Sequence, residues 1–184
     1  MMQIISQSVN ETLNTGKIIA KHLKKSDIIC LFGQLGSGKT VLTKGIAQGL
    51  GVNKNRVISP SFVLIRQYSK AKIPLYHFDL YRLKATKDIL ELGYEEYFYS
   101  EGVSVIEWAD RLKYLLPKEY LKIELIIKAD KIRLLKFSSF GKRYKELLSK
   151  IHKPRLSYKK RKLLIKGRTG GRVRKEVRGE DLRH

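Results

Sequence analysis

Apolar residues along the first 150 positions follow two different spacings. A continuous apolar run at Ile28–Phe32 has the length of a strand that is covered on both faces. Farther along the chain, Leu42, Ile46 and Leu50 recur at helical spacing, and the pattern stops at the glycines of residues 49–51. The chain between these two elements is rich in glycine. The pattern therefore predicts a strand, a tight turn and a helix in succession.

The same two spacings recur on either side of this unit. Asn10 is suited to cap an earlier helix with Leu13, Ala20 and Leu23 on its apolar face. Further strands are predicted at 62–68, 75–78, 103–106, 121–127 and 132–137, and a last helix at 142–151. Strands interleaved with helices are typical of α/β layer architectures with a largely parallel sheet, and the closely spaced later strands favour some antiparallel pairs.

Charge divides the chain into two parts. Of 184 residues, 39 are Lys or Arg and 17 are Asp or Glu, so the formal net charge of +22 favours a polyanionic partner. Residues 150–184 contain 14 of the basic residues and three of the acidic ones, which is half of the net charge. We predict a folded domain at 1–149 and a basic extension at 150–184 that is flexible or partly helical. Two interpretations of the extension stay open, an RNA-binding tail and a fusion remnant.

The cysteine content and the hydropathy of the chain indicate the cellular compartment to be expected. The single cysteine, Cys30, excludes an internal disulfide and a cysteine zinc site, and it favours a reducing compartment. No apolar run approaches the roughly 20 residues that a membrane-spanning helix needs. The first residues also lack the pattern of a signal peptide. The expectation is a cytoplasmic protein without a membrane segment.

The segment at 33–40 carries the most specific chemical signal. It reads GQLGSGKT and matches the phosphate-binding motif G-x-x-x-x-G-K-[ST] in full, between the predicted strand and helix. Glycines let consecutive backbone N–H groups point at phosphate oxygens, and the helix N-terminus adds partial positive charge. Lys39 can reach the β- and γ-phosphates, and the Thr40 hydroxyl can ligate Mg²⁺. The predicted fold is therefore α/β, a P-loop NTPase-like three-layer fold with a largely parallel central sheet plus some antiparallel strands.

A magnesium site of this kind also needs a carboxylate at the end of a neighbouring strand. Asp79 follows the predicted strand 75–78, and Glu107 follows the predicted strand 103–106. Because Mg²⁺ keeps several waters and takes few protein oxygens, one acid can hold the ion while the other orients a water. The residues alone leave open which acid has which role.

Five segments occur in a characteristic order and spacing. They are GQLGSGKTVLTKG at 33–45, SPSF at 59–62, YHFDLYRL at 76–83, LELGYEEYF at 90–98 and VIEW at 105–108. Together they resemble the bacterial TsaE-type ATPase family over roughly residues 5–150. The phosphate loop belongs to a large superfamily, whereas HFDLYRL followed by the EW pair is far more specific.

This resemblance implies roles for individual residues. Thr40 and Glu107 would be the Mg²⁺ ligands, and Asp79 would be needed for ATP turnover, for example by positioning water. Thr12 would approach the nucleotide base. The nucleotide phosphates would lie against the loop residues Leu35, Gly36, Ser37, Gly38, Lys39 and Thr40.

The resemblance also implies a mobile segment, partners and a pathway. Ser59, Pro60 and Ser61 would form a mobile segment near the γ-phosphate, and Trp108 would lie beside the site. TsaB-type and TsaD-type proteins would be the partners, and ATP hydrolysis would support repeated turnover of their complex. That complex modifies the tRNA adenosine next to the anticodon with a threonylcarbamoyl group. The tRNA itself would be reached indirectly or through the basic extension.

Three features depart from the family pattern. Gln34 stands where the family usually has Asp, so any loop role of that acid is absent. Ser61 stands where Thr is common, and it keeps a hydroxyl group. The basic extension continues beyond the usual family end, so no function carries over to it.

Two other functions share the phosphate loop. A small-molecule kinase would use lid arginines, for which Arg66, Arg82 and Arg111 are available, although no lid pattern is present. A nucleotide-binding, RNA-associated module without significant catalysis would rely on the basic extension. Residues 127–130, IKAD, lack the Asn of a guanine-reading N-K-x-D element, which favours ATP over GTP. His77 is expected to pack through a hydrogen bond rather than to act as a base.

Overall fold

Seven strands and six helical segments make up the described part of the chain, which comprises residues 2–53, 56–57, 60 and 63–152 of the computed structural model. The strands are β1 (Met2–Ser6), β2 (Ile28–Phe32), β3 (Ile65–Tyr68), β4 (Leu75–Asp79), β5 (Val103–Glu107), β6 (Tyr120–Ile127) and β7 (Arg133–Phe140). The helical segments are α1 (Val9–Ala20), α2 (Lys39–Gly49), α3 (Thr86–Leu90), α4 (Glu95–Phe98), a 3-10 segment (Ala109–Leu115) and α5 (Lys142–His152). None of these helices is long and apolar enough to cross a membrane.

All seven strands belong to one mixed sheet with the order β1-β7-β6-β2-β5-β4-β3. The four central strands β6, β2, β5 and β4 are parallel, whereas β1, β7 and β3 add antiparallel pairs at the two sides. The predicted largely parallel central sheet with some antiparallel strands is confirmed. Because β2 lies directly beside β5, the end of β5 reaches the turn that follows β2.

Helices cover the sheet on both faces, so the fold has three layers. Ile29 and Leu31 of β2 pack with α1, α2 and α5, whereas Ile28 and Cys30 pack with α3, α4 and the 3-10 segment. All four side chains are buried. The continuous apolar run of β2 follows from this burial, since alternate residues face the two layers.

The first helix begins earlier than predicted. Ser8 is its N-cap, with an extended backbone and a hydroxyl that accepts a hydrogen bond from Glu11 N at 3.1 Å, so the predicted cap at Asn10 is wrong. Of its predicted apolar face, Ala20 and Leu23 are buried in the core and Leu13 is partly buried, and the buried Gly16 also belongs to the contact face. A Cβ atom at Gly16 would collide with the Leu42 carbonyl of α2. Small residues therefore let α1 and α2 pack backbone to backbone.

Several strand boundaries differ from those that the apolar spacing predicts. The predicted strand at 62–68 is observed only from Ile65, since Leu64 has a left-handed backbone with φ of 62° that interrupts extension. β4 and β5 each extend one residue farther than predicted, so Asp79 and Glu107 are the last residues of their strands. β1 was not predicted, and it pairs antiparallel with β7.

The domain boundary and the basic extension remain predictions. Met1–His152 forms one compact unit, and α5 continues to His152. The extension from residue 153 onward lies outside the described residues.

Candidate functional site

The turn between β2 and α2 has the backbone that the phosphate-loop motif requires. Gly38 is the N-cap of α2 and has a left-handed conformation, with φ of 101° and ψ of 17°. Gly33 has φ of 139°, and a Cβ atom there would collide with the Leu125 carbonyl oxygen of β6. Side chains at either position would therefore disturb the turn. The loop is held against the end of β6 and opens toward a cavity.

This cavity has a volume of about 300 Å³. Ligand pockets in proteins begin at about this size. Loop and helix residues form one wall, and strand-end residues form the other. The lining residues are Leu35, Gly36, Ser37, Gly38, Lys39, Thr40, Val41, Asp79, Tyr81, Glu107 and Trp108. The fold thus gathers the predicted phosphate loop and both predicted acids around one space.

Lys39 is the buried cation of the site. The residue is only 4% exposed. Its Nζ donates hydrogen bonds to the Gly33 carbonyl at 2.6 Å and to the Gln34 carbonyl at 3.0 Å. The same Nζ lies 3.7 Å from the ring centroid of Trp108. Backbone carbonyls and an aromatic face thus orient the ammonium group within the cavity wall.

Burial also changes the acidity of Lys39. Desolvation lowers the pKa of its ammonium group below the ordinary value, and the nearby charges of Glu107, Asp110 and Asp79 oppose this change. The carboxylates thus help to keep a buried ammonium protonated. A phosphate placed in the cavity would add further negative charge beside it.

Glu107 joins the loop helix to the sheet. The residue is 1% exposed, and its Oε2 accepts a hydrogen bond from Thr40 Oγ1 at 2.7 Å. Its Oε1 lies 2.7 Å from Nε2 of the buried His77. The hydroxyl of Thr40 donates its only hydrogen to the carboxylate, so its lone pairs stay available to a cation.

Asp79 lies beside Glu107 at the same end of the sheet. The two residues are register partners on the parallel strands β4 and β5. Asp79 is buried, and its Oδ1 accepts a hydrogen bond from Tyr81 N at 3.1 Å. Both carboxylates line the cavity. Two acids therefore face the loop from one sheet edge.

The donor set of this edge fits Mg²⁺. Thr40 and Glu107 offer a hydroxyl and a carboxylate oxygen 2.7 Å apart, and both are hard donors of the kind that Mg²⁺ prefers. Within residues 2–53, 56–57, 60 and 63–152, no group of three or more His, Cys, Asp or Glu could hold a metal. Mg²⁺ does not need such a group, because it keeps several waters and uses one or two protein oxygens.

Two aromatic residues close one side of the cavity. The rings of Tyr81 and Trp108 lie 4.9 Å apart with an interplanar angle of 43°. Trp108 has a left-handed backbone, with φ of 59° and ψ of 43°, immediately after β5. This conformation turns the chain sharply at the strand end and places the indole over Lys39.

Some residues with predicted roles are not among those that line the cavity. Thr12 is buried, and its Oγ1 lies 2.8 Å from Ser6 Oγ. Its methyl group lies next to the loop, 3.9 Å from the position that a Cβ atom at Gly38 would take, and its approach to the nucleotide base stays a prediction. Pro60 is buried, and its carbonyl accepts hydrogen bonds from residues 63 and 64. Ser59 and Ser61 lie outside the described residues.

One contact of the loop involves a residue outside the predicted site. Arg133 at the start of β7 donates through one terminal nitrogen to the Gly36 carbonyl at 3.2 Å. Its other terminal nitrogen donates to the Ala129 and Asp130 carbonyls. Arg133 and Gly36 are 97 positions apart, so no local pattern connects them.

The three-layer fold and the loop geometry define the chain as an α/β protein of the P-loop NTPase-like class. The family profile described as threonylcarbamoyl adenosine biosynthesis protein TsaE matches residues 6–135. The chain belongs to the TsaE family.

Similar proteins support this membership over most of the chain. The tRNA threonylcarbamoyladenosine biosynthesis protein TsaE of Bacillus subtilis (strain 168) is 39% identical over 153 residues, which are 82% of this chain and 95% of that protein. The protein of the same name from Treponema pallidum (strain Nichols) is 36% identical over 129 residues, or 70% and 94% of the two chains. The crystal structure of Bacillus subtilis YdiB superimposes with a TM-score of 0.71 at 35% identity, covering 82% of this chain and 93% of that one.

Proposed function

We propose that this protein is a Mg²⁺-dependent ATPase that supports threonylcarbamoyl modification of the tRNA adenosine next to the anticodon. The observation that carries the proposal is the 2.7 Å contact between Thr40 and Glu107 at the mouth of the phosphate loop. It joins the hydroxyl of the motif to a buried carboxylate from the adjacent strand. Family membership supports the role in tRNA threonylcarbamoyladenosine biosynthesis, and the residues of the site support ATP hydrolysis with Mg²⁺.

The loop and Lys39 would bind the triphosphate of ATP. Residues 35–40 line the cavity, and the N-terminus of α2 adds partial positive charge there. Thr40 and Glu107 would hold Mg²⁺, which neutralises charge on the β- and γ-phosphates when bound. Phosphoryl transfer depends mainly on such positioning and charge stabilisation.

Asp79 is suited to orient the attacking water. It lies beside Glu107, lines the cavity, and is held by the backbone N–H of Tyr81. A carboxylate in this position accepts a hydrogen bond from water and directs the oxygen lone pair toward phosphorus. Lys39, Glu107 and Asp79 therefore form the proposed catalytic set.

The proposed partners follow from the family. TsaB-type and TsaD-type proteins would form the complex whose repeated turnover ATP hydrolysis supports. We expect slow hydrolysis by the isolated chain if these partners complete the site. tRNA would be reached through the complex or through the basic extension.

The cavity lining favours hydrolysis over metabolite phosphorylation. A kinase lid would bring arginines to the transferred phosphate. Arg66, Arg82 and Arg111 do not belong to the described lining of the cavity. We therefore place water, rather than a metabolite hydroxyl, as the phosphate acceptor.

A pair of lysine variants tests ATP binding. We expect Lys39→Ala to weaken ATP binding about 100-fold in calorimetric titration, because the phosphates lose a buried cation. Lys44→Ala is the matched control, since Lys44 lies on the same helix outside the cavity lining. Its affinity should stay within about threefold of the wild type. Equal ATP affinity of Lys39→Ala and the wild type would refute the nucleotide site.

A further inference from the structure

His77 contacts the candidate metal site from inside the protein. It lies on β4, is fully buried, and its Nε2 is 2.7 Å from Glu107 Oε1. Thr40 and Glu107 line the cavity, but His77 does not belong to the described lining. The imidazole therefore reaches the carboxylate from the side away from the cavity. The two oxygens of Glu107 have separate partners, one facing the interior and one facing the loop.

Position 77 would ordinarily take an apolar side chain. Leu75, two residues earlier on the same face of β4, is fully buried. Val105, the register partner of His77 on β5, is also fully buried. A leucine or valine at position 77 would match these neighbours. It would also leave Oε1 of Glu107 buried without a hydrogen bond.

The hydrogen-bond pattern fixes the direction of the contact. An ionised carboxylate only accepts hydrogen bonds, so the hydrogen lies on Nε2 of His77. Nδ1 is buried and has no hydrogen-bond partner among the described residues. Buried polar atoms of this kind are uncommon, because desolvation without a partner is unfavourable. His77 thus makes its hydrogen bond to Glu107 through Nε2, although this arrangement leaves Nδ1 buried without a partner among the described residues.

A glutamate side chain needs such a contact to be a well-oriented ligand. The terminal torsion of glutamate is broad, so one hydrogen bond to Thr40 does not by itself fix the carboxylate plane. A second donor on the other oxygen removes this rotation. Groups behind a metal ligand commonly set its orientation and its affinity for the ion.

We infer that His77 is a positioning residue for Glu107, whose Oε2 it keeps directed at Thr40 and at bound Mg²⁺. The inference rests on the proposed function, because it needs a magnesium site at Thr40 and Glu107. It assigns no proton transfer to the imidazole. His77 acts only through the carboxylate that it orients.

Three variants at position 77 separate orientation from packing. His77→Leu removes the donor, and His77→Gln keeps an amide N–H near the place of Nε2. His77→Asn carries an amide that ends near the place of Nδ1, too short to reach Glu107. The measurement is the calorimetric affinity for the non-hydrolysable analogue AMP-PNP in Mg²⁺ and in EDTA. The ratio of the two affinities reports the contribution of the metal.

The expected result is a loss of metal-dependent affinity alone. His77→Leu and His77→Asn should lower the Mg²⁺/EDTA affinity ratio about tenfold and leave the EDTA affinity unchanged. His77→Gln should restore the ratio to within about threefold of the wild type. If His77→Leu does not fold by circular dichroism, the comparison of His77→Asn with His77→Gln decides the question.

Other outcomes would overturn the inference. An unchanged ratio in His77→Leu or His77→Asn would remove the positioning role. So would equal losses in Mg²⁺ and in EDTA, or a His77→Gln ratio as low as that of His77→Asn. If the wild type itself shows a ratio of one, the magnesium site and the proposed function fail together with the inference. If the wild type shows a Mg²⁺/EDTA affinity ratio above one and the variants share that ratio, only the role of His77 is refuted.

Discussion

Two buried carboxylates at opposite ends of the central strands have different surroundings. Asp27 immediately precedes β2 and is 3% exposed, and Glu107 ends the neighbouring β5 and is 1% exposed. Asp27 accepts hydrogen bonds from Nε and a terminal nitrogen of Arg143, and from Lys24 N at 2.7 Å. Glu107 is hydrogen-bonded to the Thr40 hydroxyl and the His77 imidazole. Among the described residues, no Lys or Arg forms an ion pair with it.

The difference separates a charge that is paired within the fold from one that belongs to the proposed metal site. The charge of Asp27 is neutralised by a guanidinium of this chain, so the pair connects α5 to the chain before β2. Glu107 lies on a cavity with its charge only partly compensated, near Lys39. A buried carboxylate without a fixed cation is stabilised when a cation binds. Removing the charge of Asp27 should therefore lower the free energy of unfolding. Removing the charge of Glu107 should instead lower ATP hydrolysis without lowering the free energy of unfolding.

The largest expected effect is on catalysis at Glu107. Glu107→Gln should lower ATP hydrolysis on the order of 1,000-fold, or about 4 kcal/mol of transition-state stabilisation, because an amide is a poor Mg²⁺ ligand. Phosphate release with TsaB-type and TsaD-type partners present measures this. The free energy of unfolding without Mg²⁺ should change by less than about 1 kcal/mol or increase, since a buried charge is removed.

Glu124→Gln provides the control for this change. Glu124 is a partly exposed residue of β6 outside the cavity lining. Its hydrolysis rate should match that of the wild type. Normal hydrolysis by Glu107→Gln, under conditions where the wild type is active, would remove the proposed metal ligand.

The next effect is on stability at Asp27. Asp27→Asn should lower the free energy of unfolding by about 3 kcal/mol, because it leaves the partly buried guanidinium of Arg143 without its anion. Urea unfolding measures this change, and AMP-PNP affinity in Mg²⁺ should stay unchanged. Glu101→Gln removes the exposed ion pair with Lys25 and should leave stability unchanged within error. A loss of nucleotide affinity in Asp27→Asn would contradict the separation of the two sites.

The smallest effect concerns Tyr144, which packs near Asp27. Its hydroxyl accepts a hydrogen bond from Ile28 N at 2.7 Å, and burial raises the pKa of the phenol above its ordinary value of 10.0. Its contribution to stability is therefore complete below pH 10 and decreases at higher pH, where the unfolded chain loses the proton first. Tyr144→Phe should lower stability at pH 7 by about 1 kcal/mol and weaken the alkaline decline.

Urea unfolding of both proteins at pH 7 and above pH 10 tests this prediction. Burial also raises the pKa of Cys30, so the wild type should lose some stability in alkali independently of Tyr144. The informative quantity is thus the difference between the two proteins. A constant difference across the pH range would show that Tyr144 has the same pKa in the folded and unfolded chains, and it would contradict the prediction.

Local patterns were sufficient for the loop and for part of the fold. The strand at Ile28–Phe32, the glycine turn and the helix with Leu42 and Ile46 could be predicted, because side-chain periodicity and turn chemistry act between close neighbours. The start of α1 could not be predicted, since Ser8 and Asn10 are both good cap residues and the apolar spacing does not distinguish between them.

The sequence by itself determined the chemical groups of the site, namely the loop, its lysine and threonine, and two acids at strand ends. Only the tertiary structure decided which acid meets Thr40. Strand order places β5 beside β2 and β4 one strand farther away, so Glu107 contacts Thr40 while Asp79 lines the cavity beside Glu107. Strand order, like the contact of His77 with Glu107 and of Arg143 with Asp27, arises from pairing and packing between distant segments, and no local pattern of side chains specifies it.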